Sequence, residues 1–189
     1  WDVALAQLAT ASFNTTNSYN LSVIPLFILM GMFLSTSGLG KELFDAVDRW
    51  IGHFRGGLAM ATIGASAIFA AISGSTNATT ATMARITVPE MDKYNYSRSL
   101  STSAVAAGGT LGILIPPSVI LIVYGSLTQE PIGPLLIAGI LPGVLMTLLF
   151  MLMVYIQVRI NPDLAPRSEK PYPWSERLQS LKTIWPFIL

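Results

Sequence analysis

Gly108-Gly109-Thr110-Leu111-Gly112-Ile113-Leu114-Ile115-Pro116-Pro117-Ser118 is the run that most constrains the architecture of this chain. It interrupts an uncharged, apolar run, Ser99–Leu127, that otherwise has the composition of one long helix. Two adjacent prolines in mid-run remove backbone donors and clash with carbonyls one turn earlier. The glycines beside them add backbone freedom. The segment 99–127 is therefore expected to be a broken helix with an extended centre.

A second interruption lies upstream. Leu58–Ile72 is uncharged and rich in Ala and Gly. At about 15 residues, or roughly 22 Å of helix, it is short for a bilayer crossing. It gives way to Ser73-Gly74-Ser75-Thr76-Asn77 and resumes as Ala78–Val88 before Pro89-Glu90-Met91. Two short halves around an uncharged, hydroxyl-rich tip predict a re-entrant hairpin over 58–88. The alternative is a single bent transmembrane helix with a Ser/Thr-rich middle.

The rest of the chain suits a polytopic, all-α membrane protein. The sequence is 52% hydrophobic and 11% charged, with a mean hydropathy of +0.58, whereas soluble domains carry about 25% charged residues. Segments 21–37 and 134–158 read as transmembrane helices, the second being the clearer span. An Asn/Thr/Ser cluster at Asn14–Asn20 reads as a loop. Between 39 and 54, Leu43, Phe44, Val47, Trp50, Ile51 and Phe54 recur at steps of three and four, while Lys41, Glu42, Asp45, Asp48 and Arg49 take the remaining face. That spacing predicts an amphipathic helix at the membrane interface. Segment 159–182 is polar and Pro-rich and reads as a loop, and 183–189 as the start of a further helix. With Trp1 at one end and an apolar run at the other, the chain reads as part of a longer protein.

Charge sets the orientation, because Lys and Arg are retained in cytoplasmic loops. Lys41, Arg49 and Arg55 follow the first span; Arg85, Lys93 and Arg98 lie in or after the hairpin's second half; Arg159, Arg167, Lys170, Arg177 and Lys182 follow the last. If the first helix runs inward and the hairpin enters and leaves on the inside, every one of these is cytoplasmic. A bent helix crossing at 58–88 would put the late basic loop outside. The charge pattern favours the hairpin independently of its length.

Irregular backbone at membrane depth is tolerated where it is buried in protein or lines a cavity, and half-helix ends there bind ions and anionic groups. The two interruptions bring together neutral oxygens: hydroxyls of Ser73, Ser75, Thr76 and Thr110, the Asn77 amide, and backbone around Gly109, Gly112, Ile115 and Pro116. Such oxygens suit sodium, with Ser75, Asn77, Gly109 and Thr110 as candidate ligands. Neither interruption contains a carboxylate, so a proton relay there lacks its carrier. Plainer readings stand beside these. Gly64, Ala65, Ala67, Ala70 and Ala71 suit close helix packing, and Thr79, Thr80 and Thr82 can bond back to their own helix. His53 reads as an interfacial side chain, and the methionines as packing. No cysteine is present and His53 has no second histidine, which excludes disulfides, thiolate metal sites and a His-based triad. Gly108–Gly112 lacks the lysine and strand-to-helix setting of a phosphate loop. Neither an enzyme nor a nucleic-acid binder is expected. A secondary transporter leads, with a re-entrant-loop channel or a non-transporting membrane scaffold as alternatives.

The Gly108–Ser118 run, followed by Tyr124-Gly125, resembles the large membrane subunit of TRAP (tripartite ATP-independent periplasmic) transporters. So do Ala71-Ile72-Ser73-Gly74-Ser75, Pro89-Glu90-Met91 and Ala138-Gly139-Ile140-Leu141-Pro142-Gly143. The likeness runs in order from about Pro25 to Gly143. It implies a multi-pass subunit of a sodium-coupled importer in the bacterial inner membrane. Its cargo would be an organic acid, such as a C4-dicarboxylate, sialic acid or a related carboxylate, and no cofactor is implied beyond Na+ as coupling ion. It further implies an elevator movement, a periplasmic substrate-binding protein and a small four-helix membrane subunit as partners. This chain would supply the first of two inverted repeats: hairpin 58–88, broken helix 99–127 and arm helix 39–54, with one sodium site between tip and break. The family often has small residues after the hairpin's Gly-Ser pair; here Thr76-Asn77 are bulkier.

Overall fold

Ala, Gly, Ser and Thr make up most of Gly57–Ser73, and helices approach most closely where side chains are smallest. This helix (α4) is the centre of the computed structural model, which describes residues 1–16, 19–166 and 173–180. Around it lie α2 (Tyr19–Thr36), α3 (Leu39–Ile51), α5 (Thr76–Lys93), α6 (Arg98–Thr110) and α8 (Ile132–Ile160), each touching α4. Helices α1 (Asp2–Thr16) and α7 (Val119–Thr128) complete the main elements, and a short α9 spans 174–180. Every regular element among the described residues is helical.

Helix α4 divides the core into two clusters. On one side Ala59, Met60 and Ile63 pack with Leu100, Ala104, Leu111, Val154 and Val158. On the other, Ala61, Ala65 and Phe69 meet Leu39, Leu43, Phe44 and Met83. The polar base of the bundle is stitched by longer-range bonds. The Leu58 amide donates to Tyr96 Oη at 3.4 Å, and the Ser97 amide to the Leu164 carbonyl at 2.9 Å.

Several expectations need their bounds moved, and some are overturned. The Asn14–Asn20 cluster is not a loop through its length: α1 runs to Thr16 and α2 begins at Tyr19. That stretch has neither Gly nor Pro, so no donor is lost, and Asn or Thr costs a helix only a few tenths of a kcal/mol. Helix α5 does not stop at Val88 but continues through Pro89 to Lys93. Pro89 is exposed, so its missing bond falls on the outer face. Helix α3 ends at Ile51 rather than at 54, and Phe54 is exposed instead of continuing the apolar face. Segment 159–182 is not all loop: it holds a 3-10 turn, Pro162–Leu164, and α9, whose Trp174 meets the Trp50 ring edge-on at 6.4 Å. Segment 183–189, with Arg167, Lys170 and Lys182, lies outside the described residues.

By length and composition, α8 alone among the described residues is long and apolar enough to cross a membrane singly. Ile24–Thr36 and Leu39–Ile51 pass the same test only as a pair, bent by 66° at Gly38, whose φ is +85°. Helices α4 and α7 are shorter apolar helices. The two interrupted segments are both interrupted: Gly74-Ser75 separates α4 from α5, and a 3-10 turn (Leu111–Ile113) with an irregular stretch to Ser118 separates α6 from α7.

Candidate functional site

Each interruption is built in the same way. A helix ends, a serine adopts an extended conformation, and that serine caps the next helix. Ser75 (φ −127°, ψ 118°) accepts from the Ala78 amide at the start of α5. Ser118 (φ −109°, ψ 120°) accepts from the Leu121 amide at the start of α7. A serine oxygen in that place satisfies one of the amides a helix start leaves unpaired. The consequence is electrostatic: the carbonyl ends of α4 and α6 carry partial negative charge, and the amide ends of α5 and α7 partial positive charge.

The two interruptions touch. The Val119 amide donates to the Gly74 carbonyl at 3.4 Å. Gly74 has φ +61°, a left-handed conformation, and a methyl group there would collide with the Pro117 carbonyl. A methyl on Gly112 would lie 3.0 Å from the Thr76 amide nitrogen. These glycines are where backbone meets backbone. The Pro116–Pro117 peptide bond is cis.

Side chains close each segment on itself. Ser73 is fully buried, and its hydroxyl lies 3.1 Å from Thr79 Oγ1 across the tip. Thr79 also donates back to the Ser75 carbonyl at 2.8 Å, and Thr80 to that of Thr76 at 2.8 Å. Both are the self-bonding expected of them. The Ser118 hydroxyl donates to the Ile113 carbonyl at 2.6 Å, closing the break on itself.

Among the nine expected site residues, Ser75, Thr76 and Gly112 lie in the tip-to-break contact, while Ser73 is buried within the hairpin against Thr79. Gly109 is buried against Thr80. Three stand apart. Asn77 is exposed in the first turn of α5, and Thr110 is exposed with its hydroxyl donating to the Ala107 carbonyl at 2.7 Å. Ile115 is half-buried with its side chain toward Gly143 of α8. Pro116 is half-buried beside Pro117. Residue-type reasoning missed the Gly74 carbonyl and the Val119 amide as parts of the contact, and Thr79 and Ser118 as the hydroxyls that close the tip and the break. Ser118 was legible as a cap two residues after Pro116; the pairing of Ser73 with Thr79 depends on the turn angle at Gly74, which no spacing rule supplies.

The arrangement is a neutral oxygen cluster, and no group of three or more His, Cys, Asp or Glu residues forms a metal-binding set among the described residues. Carbonyl and hydroxyl oxygens fit a hard monovalent cation, and two helix amide ends beside them fit an anionic group. This is binding chemistry; the site presents no nucleophile with a base beside it.

The family described as tripartite ATP-independent periplasmic transporter, DctM component, matches residues 3–189. A C4-dicarboxylate TRAP transporter large permease protein DctM of Pseudomonas aeruginosa is 40% identical over 84% of this chain and 37% of its own length. Its namesake in Vibrio cholerae is 37% identical over 96% of the chain and 40% of its own length. An isethionate TRAP transporter permease protein DctMQ of Oleidesulfovibrio alaskensis is 40% identical over 78% of the chain and 23% of its own length. The chain thus spans about two fifths or less of the curated relatives it matches. With a match over nearly its whole length, this chain belongs to the DctM component family of the tripartite ATP-independent periplasmic transporters.

Proposed function

We propose that the protein is the large permease subunit of a sodium-coupled secondary transporter that imports an organic anion. The observation that carries this reading is the meeting of two helix interruptions, Gly74–Thr76 and Gly112–Val119, backbone against backbone, with helix ends of both polarities beside them. A cation and an anion bound side by side there neutralise one another in a medium where either alone would be costly. That is the requirement of symport. Sodium is held by oxygens of Ser75, Asn77, Gly109 and Thr110 and by the carbonyls around them, with Asn77 and Thr110 turning inward when the ion binds. The cargo is a carboxylate of the C4-dicarboxylate kind or a similar small anion; relatives are named for C4-dicarboxylates and for isethionate.

Further parts of the reading concern the assembly. In the bacterial inner membrane, α4 and α5 form a re-entrant hairpin entered from the cytoplasm. α6 and α7 form a discontinuous crossing helix, and α3 is an arm along the interface. The moving part rises and falls as an elevator. A periplasmic binding protein delivers the cargo and a small four-helix membrane subunit braces the arm. The existence of a fused DctMQ relative fits a small subunit working beside the large one.

The test is uptake into proteoliposomes holding the complete protein, under an imposed sodium gradient, with and without a candidate binding protein. Sodium-dependent uptake is expected, and Asn77→Ala or Thr110→Ala should raise the sodium concentration needed for half-maximal rate by about tenfold, the effect of losing one good ligand. Uptake that ignores the gradient would remove the coupling claim. Unchanged sodium dependence in both variants would remove the site. Orientation is tested separately, since the chain has no cysteine. A single cysteine at Gln129 should react with an impermeant thiol reagent from the periplasmic side, and one at Asp163 should not.

A further inference from the structure

We propose that the groove where α2 ends against α5 binds the phosphate headgroup of an anionic phospholipid from the cytoplasmic leaflet. The groove encloses about 350 Å³ and is lined by Ser35, Thr36, Gly38, Lys41, Thr82 and Arg85 among others. Its two charged residues are both cations and come from different elements, Lys41 from the first turn of α3 and Arg85 from the middle of α5. Among the described residues neither forms an ion pair with a carboxylate within 4.0 Å. The nearest acids along α3, Glu42 and Asp45, are not part of the lining. The start of α3 adds to the positive field: Gly38 has no capping side chain, and the Leu39 amide meets only the neutral Ser37 hydroxyl at 3.3 Å.

The lipid, rather than a dissolved anion, is favoured by what lies next to the groove. Met32 and Phe33, one turn before Ser35 and Thr36, are more than half exposed, as is Leu26 further along the same helix. A headgroup in the groove would lay its acyl chains along this apolar face. The inward orientation proposed for α2 puts the groove at the cytoplasmic surface, where basic pockets between helices take anionic headgroups. The inference rests on that membrane orientation but not on sodium coupling or on cargo.

The experiment uses the complete protein, purified in a mild detergent. Thermal unfolding is followed on titration with dioleoyl phosphatidylglycerol, dioleoyl phosphatidylcholine or glycerol 3-phosphate, and retained lipid is weighed by native mass spectrometry. Phosphatidylglycerol should raise the unfolding midpoint and be retained in the spectrum, with the other two having much smaller effects. The pair Lys41→Gln with Arg85→Gln should weaken the phosphatidylglycerol effect by roughly fivefold per cation removed. Arg98→Gln should leave it unchanged, and Lys41→Arg with Arg85→Lys should retain it. The last pair and single Arg85→Gln carry the test if the double neutral variant fails to fold. Equal stabilisation by glycerol 3-phosphate would overturn the lipid assignment in favour of a soluble anion. Undiminished phosphatidylglycerol binding in the neutralised variants would overturn the groove itself. Because transport is not read, failure here is distinct from failure of the proposed sodium coupling.

Discussion

Helices α4 and α8 are both apolar and uncharged through their centres, yet they occupy opposite situations. Helix α4 has eleven buried residues in seventeen, whereas α8 has four in twenty-nine: Gly139, Gly143, Val154 and Val158. Hydrophobicity does not separate them; side-chain size does. Ala, Gly and Ser let five helices close round α4, where dispersion contacts come from every side. Leu, Ile and Met on α8 hold neighbours off, and Ile137, Leu141, Leu148 and Met153 stay exposed. An apolar sequence states only that water is excluded. The volumes of its residues state how closely neighbouring helices can approach.

Two pairs of substitutions probe this contrast, beginning with the greatest effect. Phe69 on α4 is 0% exposed and Leu141 on α8 is 78% exposed. Phe69→Ala should cost about 3–5 kcal/mol of unfolding free energy, and Leu141→Ala about 0.5 kcal/mol or less. Comparable losses in thermal unfolding would break the contrast. Next come the glycines at the two helices' ends. Gly74→Val places a branched residue at φ +61° and against the Pro117 carbonyl, costing about 1–3 kcal/mol for the backbone alone and abolishing sodium-dependent uptake. Gly133→Val meets open space and should leave both readouts near wild type. Full activity in Gly74→Val would show that the tip is not held as described.

The smallest effect belongs to Asp45 on α3, outside the spans. Burial pushes its carboxyl above the ordinary carboxylate range, while Lys41 and Arg49 pull it back. A raised native value means that stability is full below the unfolded carboxyl value and declines as pH rises through the folded one. Asp45→Asn should therefore melt slightly higher than wild type at pH 7 and equal to it in acid. A lower melting point at pH 7 would show that attraction to the two cations outweighs burial.

What the sequence discloses depends on whether the signal is local. Pro116-Pro117 and Ser73-Gly74-Ser75 break helices by local chemistry, and both breaks fall where those residues stand. The periodic face of α3 is likewise local, and Leu43 and Phe44 are buried as its spacing implies. Local rules mislead where an element tolerates its own exceptions. Pro89 sits inside α5 and Pro142 inside α8, and the polar Asn14–Thr16 is helical. The candidate site is legible as two separate segments but not as a contact. That Ser73 meets Thr79 and Gly74 meets Val119 follows from the angle between helices, which is set by the crowd of residues around α4. The groove at Lys41 and Arg85 escapes sequence reading for the same reason, since 44 positions separate its cations along the chain.

The bond from the Val119 amide to the Gly74 carbonyl belongs to the main chain alone. No exchange of side chain deletes either partner unless proline replaces Val119. The hydroxyl and amide side chains around it can therefore be exchanged while the two backbone segments keep their mutual spacing. Variation in side chains and permanence of frame are thereby kept in different atoms of the same few residues.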